Sequence, residues 1–307
     1  FSIIIIFTVP FFYKDSVQIL LSLFFVIGQF INPIWFFQGI QNFKWITIIN
    51  IFSKIVYVLT VFIFIKKPED YIYVNFFLGS GLIIASSISF IWIYSTYSFS
   101  IKNASFSEAF LLIKSEFTLT ISQLFLSFYY YAPIMIISFI GGNYMAGQYR
   151  IIDQIIMIFR TYFQMFFNFI YADVCLQVNK NTSRGFQKWK IKNGLNYIMV
   201  LIVLFIFSLN TKLILTFFKV NDESLDQMSN YLKLGLVIPL LMGVSLSLKQ
   251  LIFSTNKNKQ YIWITILSTI FSVIMMFFLL EFFGLIGAFI TSIFIEFIII
   301  ISYIVIL

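Results

Sequence analysis

The feature that most limits the fold is the recurrence of apolar runs of nearly constant length. They fall at 17–37, 45–65, 71–94, 117–140, 144–171, 194–215, 231–253, 261–282 and 285–304. Each supplies the ~20 residues an α-helix needs to cross the hydrocarbon of a bilayer. Most connections between them are short and polar, such as VPFFYKDS, KKPEDY, GGN, STNKNKQ and FFG. Helices strung this tightly pack as antiparallel neighbours, with every backbone polar group bonded inside its own segment. The expectation is an all-α polytopic membrane protein with nine complete transmembrane helices. Composition agrees: the chain is 61% hydrophobic and only 10% charged, with a mean hydropathy of +0.98. A soluble domain cannot hide that much apolar surface.

The opening FSIIIIFTVP carries an apolar run of about nine residues, short of a span. No basic segment precedes it and no small-residue cleavage site follows, so it reads as the remnant of a helix rather than a signal peptide.

Histidine is absent and Cys175 is the single cysteine. That excludes a disulfide framework, thiolate or imidazole metal sites, and a nucleophile activated by a histidine base. No cofactor is expected, and the inventory is poor for an enzyme.

Loop charge alternates along the chain. One set of loops holds Lys44, then Lys102 and Lys114, then Lys180, Arg184, Lys188, Lys190 and Lys192, then Lys257 and Lys259. The other holds Lys14, Lys66, Lys67 and Lys219, offset by Asp15, Glu69, Asp70, Asp222, Glu223 and Asp226. Positive charge marks the cytoplasmic side, so the first set faces the cytoplasm. The basic run NKNTSRGFQKWKIK lies between two spans, which points to orientation and contact with anionic membrane lipids rather than nucleic acid. The linker 95–116 is the longest connection before the last six helices, and its SEAFLLIKSE part is expected to lie as an amphipathic helix on the inner surface. It marks a boundary between an N-terminal lobe, 1–100, and a C-terminal lobe, 101–307.

Charges deep in a membrane rarely face lipid. In YMAGQYRIIDQIIMIFRTYFQMFFNFIYAD, Arg150, Asp153, Arg160, Gln164 and Asn168 recur at spacings of three, seven, four and four, which places them on one helical face. This stripe is either an internal network, with Asp153 paired to Arg150 or Arg160, or a cationic wall for an anionic substrate. Arg160 lies over ten residues from either end, too deep for easy snorkelling. Lys54 lies about nine residues into its helix and shares a face with Asn50 and Tyr57; it is a second candidate for lining a cavity. Glu296, near the face of Ser292, is a candidate proton or cation site, with a plain helix–helix hydrogen bond as the structural alternative. Gln123, Ser127 and Tyr131 read as packing glue beside Pro133. Lys233 and Lys249 sit near opposite ends of one helix, and both are expected to snorkel.

The corner NPIWFFQGIQNFKW carries more than composition. It resembles the PxWFFQGxExxK signature of Wzx-type repeat-unit flippases in the multidrug/oligosaccharidyl-lipid/polysaccharide exporter superfamily. Pro33, Trp35, Phe36, Phe37, Gln38, Gly39 and Lys44 match it, whereas Gln41 stands where an acidic residue is usual. VFIFIKKPEDY, GGNYMAGQYRIIDQI and FGLIGAFITSIFIE follow in the family's order. Members have about twelve helices, so the chain resembles one lacking its first two helices and most of its third. In physical terms Pro33 bends the helix end, Gly39 permits a tight reversal, and Trp35 and Trp45 suit the interface. The corner is either an anchored hairpin or a hinge or gate.

The resemblance implies two six-helix lobes around a central cavity in a multi-pass protein of the bacterial cytoplasmic (inner) membrane. The implied substrate is an oligosaccharide repeat unit linked through pyrophosphate to a polyprenyl lipid, for O-antigen, capsule or related polysaccharide synthesis, with polysaccharide polymerase machinery as a partner. Arg160, Lys54 and Arg150 would attract the anion, Gln164 and Asn168 would meet glycans, and Asp153 and Glu296 would couple to a proton or sodium gradient. Two alternatives stand beside it. A drug or organic-cation exporter of the same fold should favour carboxylates and aromatics in its cavity. A membrane polymerase or ligase should carry a sizeable external loop with basic residues, whereas the segment 216–230 is short and acidic.

Overall fold

A computed structural model describes residues 16–40, 42–97 and 105–307. The N-terminal apolar run, Lys14, Asp15, Gln41, Lys102 and part of the linker lie outside the described residues, as does the side chain of Gln38. The chain divides into two compact units, Phe1–Ser105 and Phe106–Leu307.

The first unit contains α1 (Ser16–Phe30), α2 (Ile34–Gly39), α3 (Phe43–Phe64), a 3-10 turn (Pro68–Tyr73) and α4 (Val74–Thr96). Its centre is α4, whose small residues Gly79, Gly81, Ala85, Ser86 and Ser89 are buried. A Cβ on Gly79 would fall 2.3 Å from the backbone nitrogen of Phe25 in α1, and one on Gly81 would fall 2.6 Å from the carbonyl oxygen of Ser53 in α3. Lipid tails are as apolar as leucine, so helices in a bilayer associate by such close backbone approach rather than by a hydrophobic drive.

Pro33 separates α1 from α2, and the Asn32 side chain accepts the Ile34 backbone N–H at 3.3 Å. Fully buried Phe37 then locks α2 against α3 and α4. Its ring stacks on Trp45 at 6.0 Å and meets Trp92 at 5.8 Å, with Trp45 and Trp92 4.4 Å apart. Trp35 is exposed, so only one of the two tryptophans stands free of the knot. Gly39 is the last residue of α2, has no positive φ, and a Cβ there would touch nothing within 4 Å. One apolar span runs from Ser16 through Pro33 to Phe37, and the next begins at Lys44, so the corner lies between them.

The second unit contains α5 (Phe106–Lys180), α6 (Thr182–Leu209), α7 (Thr211–Phe217), α8 (Asp222–Gly235), α9 (Val237–Ser254), α10 (Asn258–Phe283) and α11 (Leu285–Ile306). Helix α5 is two arms meeting at Gly142, whose φ of 74° and ψ of 177° break the helical path. Glycine adopts that left-handed φ without a Cβ clash. Among the described residues eight helices are long and apolar enough to cross a membrane, and one of them, Thr120–Lys180, contains this break. The spans read from the sequence at 117–140 and 144–171 correspond to its two arms. The core of the unit gathers Ile137, Tyr149, Ile152, Ile156, Leu232, Met242 and Phe289 from α5, α8, α9 and α11.

Three connections differ from expectation. SEAFLLIKSE is no separate surface helix; it belongs to the same uninterrupted first arm of α5. The basic run is helical on both sides of Asn181, whose side chain accepts the Arg184 N–H at 3.1 Å as an N-cap. Lys, Arg and Gln are good helix formers, so α5 and α6 continue well past their apolar parts. The acidic segment 216–230 is likewise mostly helical, in α7 and α8.

Candidate functional site

The polar stripe of the second arm of α5 divides lengthwise. Its edge at Asp153 and Arg160 turns toward the core beside Tyr149, Ile156 and Phe163, whereas Gln164 and Asn168 lie on the exposed edge and hydrogen-bond each other at 3.2 Å. Helix geometry explains the split, because residues spaced by three and by four drift to opposite sides of a common line at 100° per residue.

Asp153 is buried and sits between two cations. Arg150 Nη1 reaches its Oδ2 at 3.2 Å and Arg160 Nη2 reaches its Oδ1 at 3.8 Å. Arg150 is partly exposed, and Arg160 has only 18% of its side chain exposed. The Arg160 guanidinium lies over the Tyr130 ring, 4.2 Å from its centroid, an attractive cation–π contact. Its buried Nε has no hydrogen-bond partner. A guanidinium offers five donors, and this one is under-coordinated for its depth.

Glu296 of α11 is 3% exposed. Tyr129 donates to its Oε1 at 3.0 Å and Ser245 to its Oε2 at 2.9 Å. Asp153, Arg160, Tyr130, Ser292 and Glu296 line one small cavity of about 20 Å³. Glu296 also lines a second cavity of about 40 Å³, with Tyr129, Ser245, Tyr261, Thr265 and Lys249. These volumes suit one or a few waters, far below the roughly 300–1,000 Å³ of pockets that enclose drug-sized ligands.

Lys249 was expected to snorkel and does not. It is 7% exposed, and its Nζ lies 4.8 Å from the Tyr261 centroid, 5.4 Å from Phe253 and 5.6 Å from Phe167. With the α9 end only five residues away, its stem could reach either way. Phe253 lies one turn along the same helix, but Phe167 of α5 and Tyr261 of α10 are brought to Lys249 by the fold, which alone reveals the inward turn. Lys233 is exposed.

The structure thus brings Asp153, Arg160 and Glu296 to one cavity and adds Lys249 beside it. Lys54, on an exposed face of α3, belongs to the first unit, as do Pro33, Trp35, Gln38, Gly39 and exposed Lys44. Among the described residues no cluster of His, Cys, Asp and Glu could hold a metal ion.

A second polar layer joins α6 to α9. Asn193 donates to Gln250 Oε1 at 3.0 Å, Ser247 donates to Asn193 Oδ1 at 3.0 Å, Trp189 Nε1 donates to the Ser247 carbonyl at 3.0 Å, and Tyr197 donates to the Leu240 carbonyl at 3.0 Å. This layer pairs amide with amide and holds no charge.

Apolar helices around a few buried charges define a multi-pass α-helical membrane protein. A solved structure of a multidrug resistance MATE family transporter of the MOP superfamily, in an outward-facing conformation, superposes with a TM-score of 0.60, covering 84% of this chain and 60% of that one at 12% identity. The chain belongs to the polysaccharide biosynthesis protein family, whose model matches residues 1–176. Two relatives bear the name "Putative O-antigen transporter". The one from Shigella dysenteriae is 26% identical over 143 residues, 45% of this chain. The one from Escherichia coli K12 is 28% identical over 153 residues, 48% of this chain. In both the match takes in 35% of the relative's own length.

Proposed function

We propose that the protein is a flippase that carries polyprenyl-pyrophosphate-linked oligosaccharide repeat units from the cytoplasmic to the outer leaflet of the bacterial inner membrane, for O-antigen, capsule or related polysaccharide synthesis. Family membership and the names of the relatives support a transport role in polysaccharide assembly. The observation that carries the anionic substrate is Arg160, deeply placed, with one long contact to a carboxylate and an unpaired Nε. A guanidinium with spare donors suits bidentate capture of a phosphate. Arg150 and Lys54 add attraction, Gln164 and Asn168 offer amides to sugars, and Asp153 and Glu296 are the candidates for coupling to a proton or sodium gradient. Transport proceeds by alternating access without a covalent step. The cavities at Arg160 and Glu296 are too small for a lipid-linked oligosaccharide, so these two residues would meet substrate in a more open conformation. The pyrophosphate would come from the membrane enzymes that build the repeat unit, and the product would pass to a polymerase.

Organic-cation export on the same fold is the second reading, favoured by buried Glu296 among hydroxyl and aromatic side chains. The deciding experiment replaces the chromosomal copy with full-length variants. Arg160→Ala should lower surface polysaccharide at least about tenfold, as loss of one charge-assisted contact implies, while the protein still inserts. Arg160→Lys, which keeps charge and loses the planar fork, should retain part of it. Wild-type polysaccharide from the alanine variant would sink the flippase site, and a rise in susceptibility to cationic drugs without a polysaccharide defect would favour export.

A further inference from the structure

Lys249 presents chemistry that neither the family nor the transport reading assigns. Its ammonium is within about 6 Å of three ring centroids, the distance at which aromatic faces attract a cation. The rings form walls rather than a stack. Phe253 stands nearly perpendicular to Phe167, at 86° with centroids 6.4 Å apart, and to Tyr261, at 77° and 4.8 Å. Tyr261 and Phe167 are buried, at 2% and 7% exposed. Among the described residues Lys249 Nζ has no ion pair and no hydrogen bond, although buried Glu296 lines the same 40 Å³ cavity. An ammonium on a side chain this little exposed, without a carboxylate against it, needs another stabilising partner, and three π faces provide one.

We propose that Phe167, Phe253 and Tyr261 form an ammonium-binding cage occupied by the chain's own Lys249, a built-in cation that bars alkylammonium ligands from the interior of the C-terminal unit. Aromatic cages of this kind recognise free alkylammonium groups when no side chain fills them. Here the lysine supplies both the charge and the plug. Its removal leaves a site for small primary amines, formed by the cage and the adjoining cavity, with Glu296 nearby as a counter-charge. The inference rests on the local geometry; it is compatible with the flippase reading and opposes passage of organic cations through this cavity.

Chemical rescue tests it in the full-length protein. Lys249→Ala removes the four heavy atoms beyond Cβ, which together are propylammonium. The variant should show a thermal unfolding midpoint lower by about 5 °C, as loss of roughly 2 kcal/mol in a unit of this size implies. Propylammonium chloride at millimolar concentration, present from solubilisation onward, should restore most of that loss in Lys249→Ala and leave the wild type unchanged. Neutral 1-propanol should do nothing. Lys249→Met keeps the stem and fills the space without charge, so it should be unresponsive, and Lys249→Ala combined with Tyr261→Leu should lose the rescue. Where Lys249→Ala does not survive purification, the same readout is its abundance in membranes of cells grown with and without propylammonium. Equal response of wild type and Lys249→Ala, equal rescue by propanol, or no recovery by either measure overturns the cage.

Discussion

The two units solve the problem of joining helices in lipid by different means. In the first, α4 meets α1 and α3 through glycines so close that a single Cβ would collide with backbone, and the aromatic knot of Phe37, Trp45 and Trp92 fastens the corner. In the second, helices also surround buried charge: Asp153, Lys249 and Glu296 are each under 8% exposed. Among the described residues, no charged side chain of the first unit is buried to that degree. Packing alone is enough to hold a hairpin. Buried charge is costly in a bilayer, so its concentration in one unit marks where functional demand overrode the cheapest packing.

The sharpest way to break this contrast is to unbalance the charge. Asp153→Asn removes the carboxylate between Arg150 and Arg160 and should cost about 3 kcal/mol, since an uncompensated buried cation remains. Its abundance and unfolding midpoint should fall together. Glu296→Gln should differ, because an amide can still accept from Tyr129 or Ser245. It should keep near-normal abundance and substrate binding while losing the dependence of flipping on an imposed gradient in proteoliposomes. Wild-type gradient dependence in Glu296→Gln would remove the coupling role from that residue, and undiminished abundance of Asp153→Asn would deny Asp153 its balancing role.

The first unit should break by volume instead. Gly79→Ala places a methyl 2.3 Å from the Phe25 nitrogen and should cost about 2 kcal/mol through forced separation of α1 and α4, lowering membrane abundance several-fold. Gly39→Ala meets nothing within 4 Å and should stay within about 0.5 kcal/mol of the parent. Equal abundance of the two variants, measured by quantitative blotting of membranes, would refute the close α1–α4 approach.

That pair also shows what a sequence reader could and could not see. Span length and apolar content are local, so the helices and the break at Gly142 within GGN were legible. Glu296 and Arg160 stood out because charge deep in an apolar run is costly wherever it occurs. Gly39 stands at the corner between α2 and α3 without a left-handed φ, so the sequence could place the corner but not its backbone conformation. The basic run misled because charge was equated with loop, although its residues favour helix and Asn181 caps it. Lys249 was invisible for a different reason: its neighbours Phe167 and Tyr261 are brought to it by tertiary packing alone. The arginine stripe read as one helical face, and its division into a buried and an exposed edge was set by packing that the sequence does not show.

The smallest expected effect concerns the uncharged layer between α6 and α9. Asn193 and Gln250 are both buried and bonded at 3.0 Å, and Asn193 also accepts from Ser247. Side-chain hydrogen bonds between membrane helices average about 0.6 kcal/mol in double-mutant cycles, because the separated helices find other partners. Asn193→Ala, Gln250→Ala and the double variant should therefore give a coupling of about that size, read from unfolding midpoints, with polysaccharide export retained in all three. A similar cycle between Arg160 and Asp153 should give a clearly larger coupling, since loss of Asp153 strands the Arg160 charge and loss of Arg160 leaves Asp153 with Arg150 alone. If the two cycles agree within error, the charged layer is ordinary helix glue, and the distinction drawn between the two polar layers of the C-terminal unit fails.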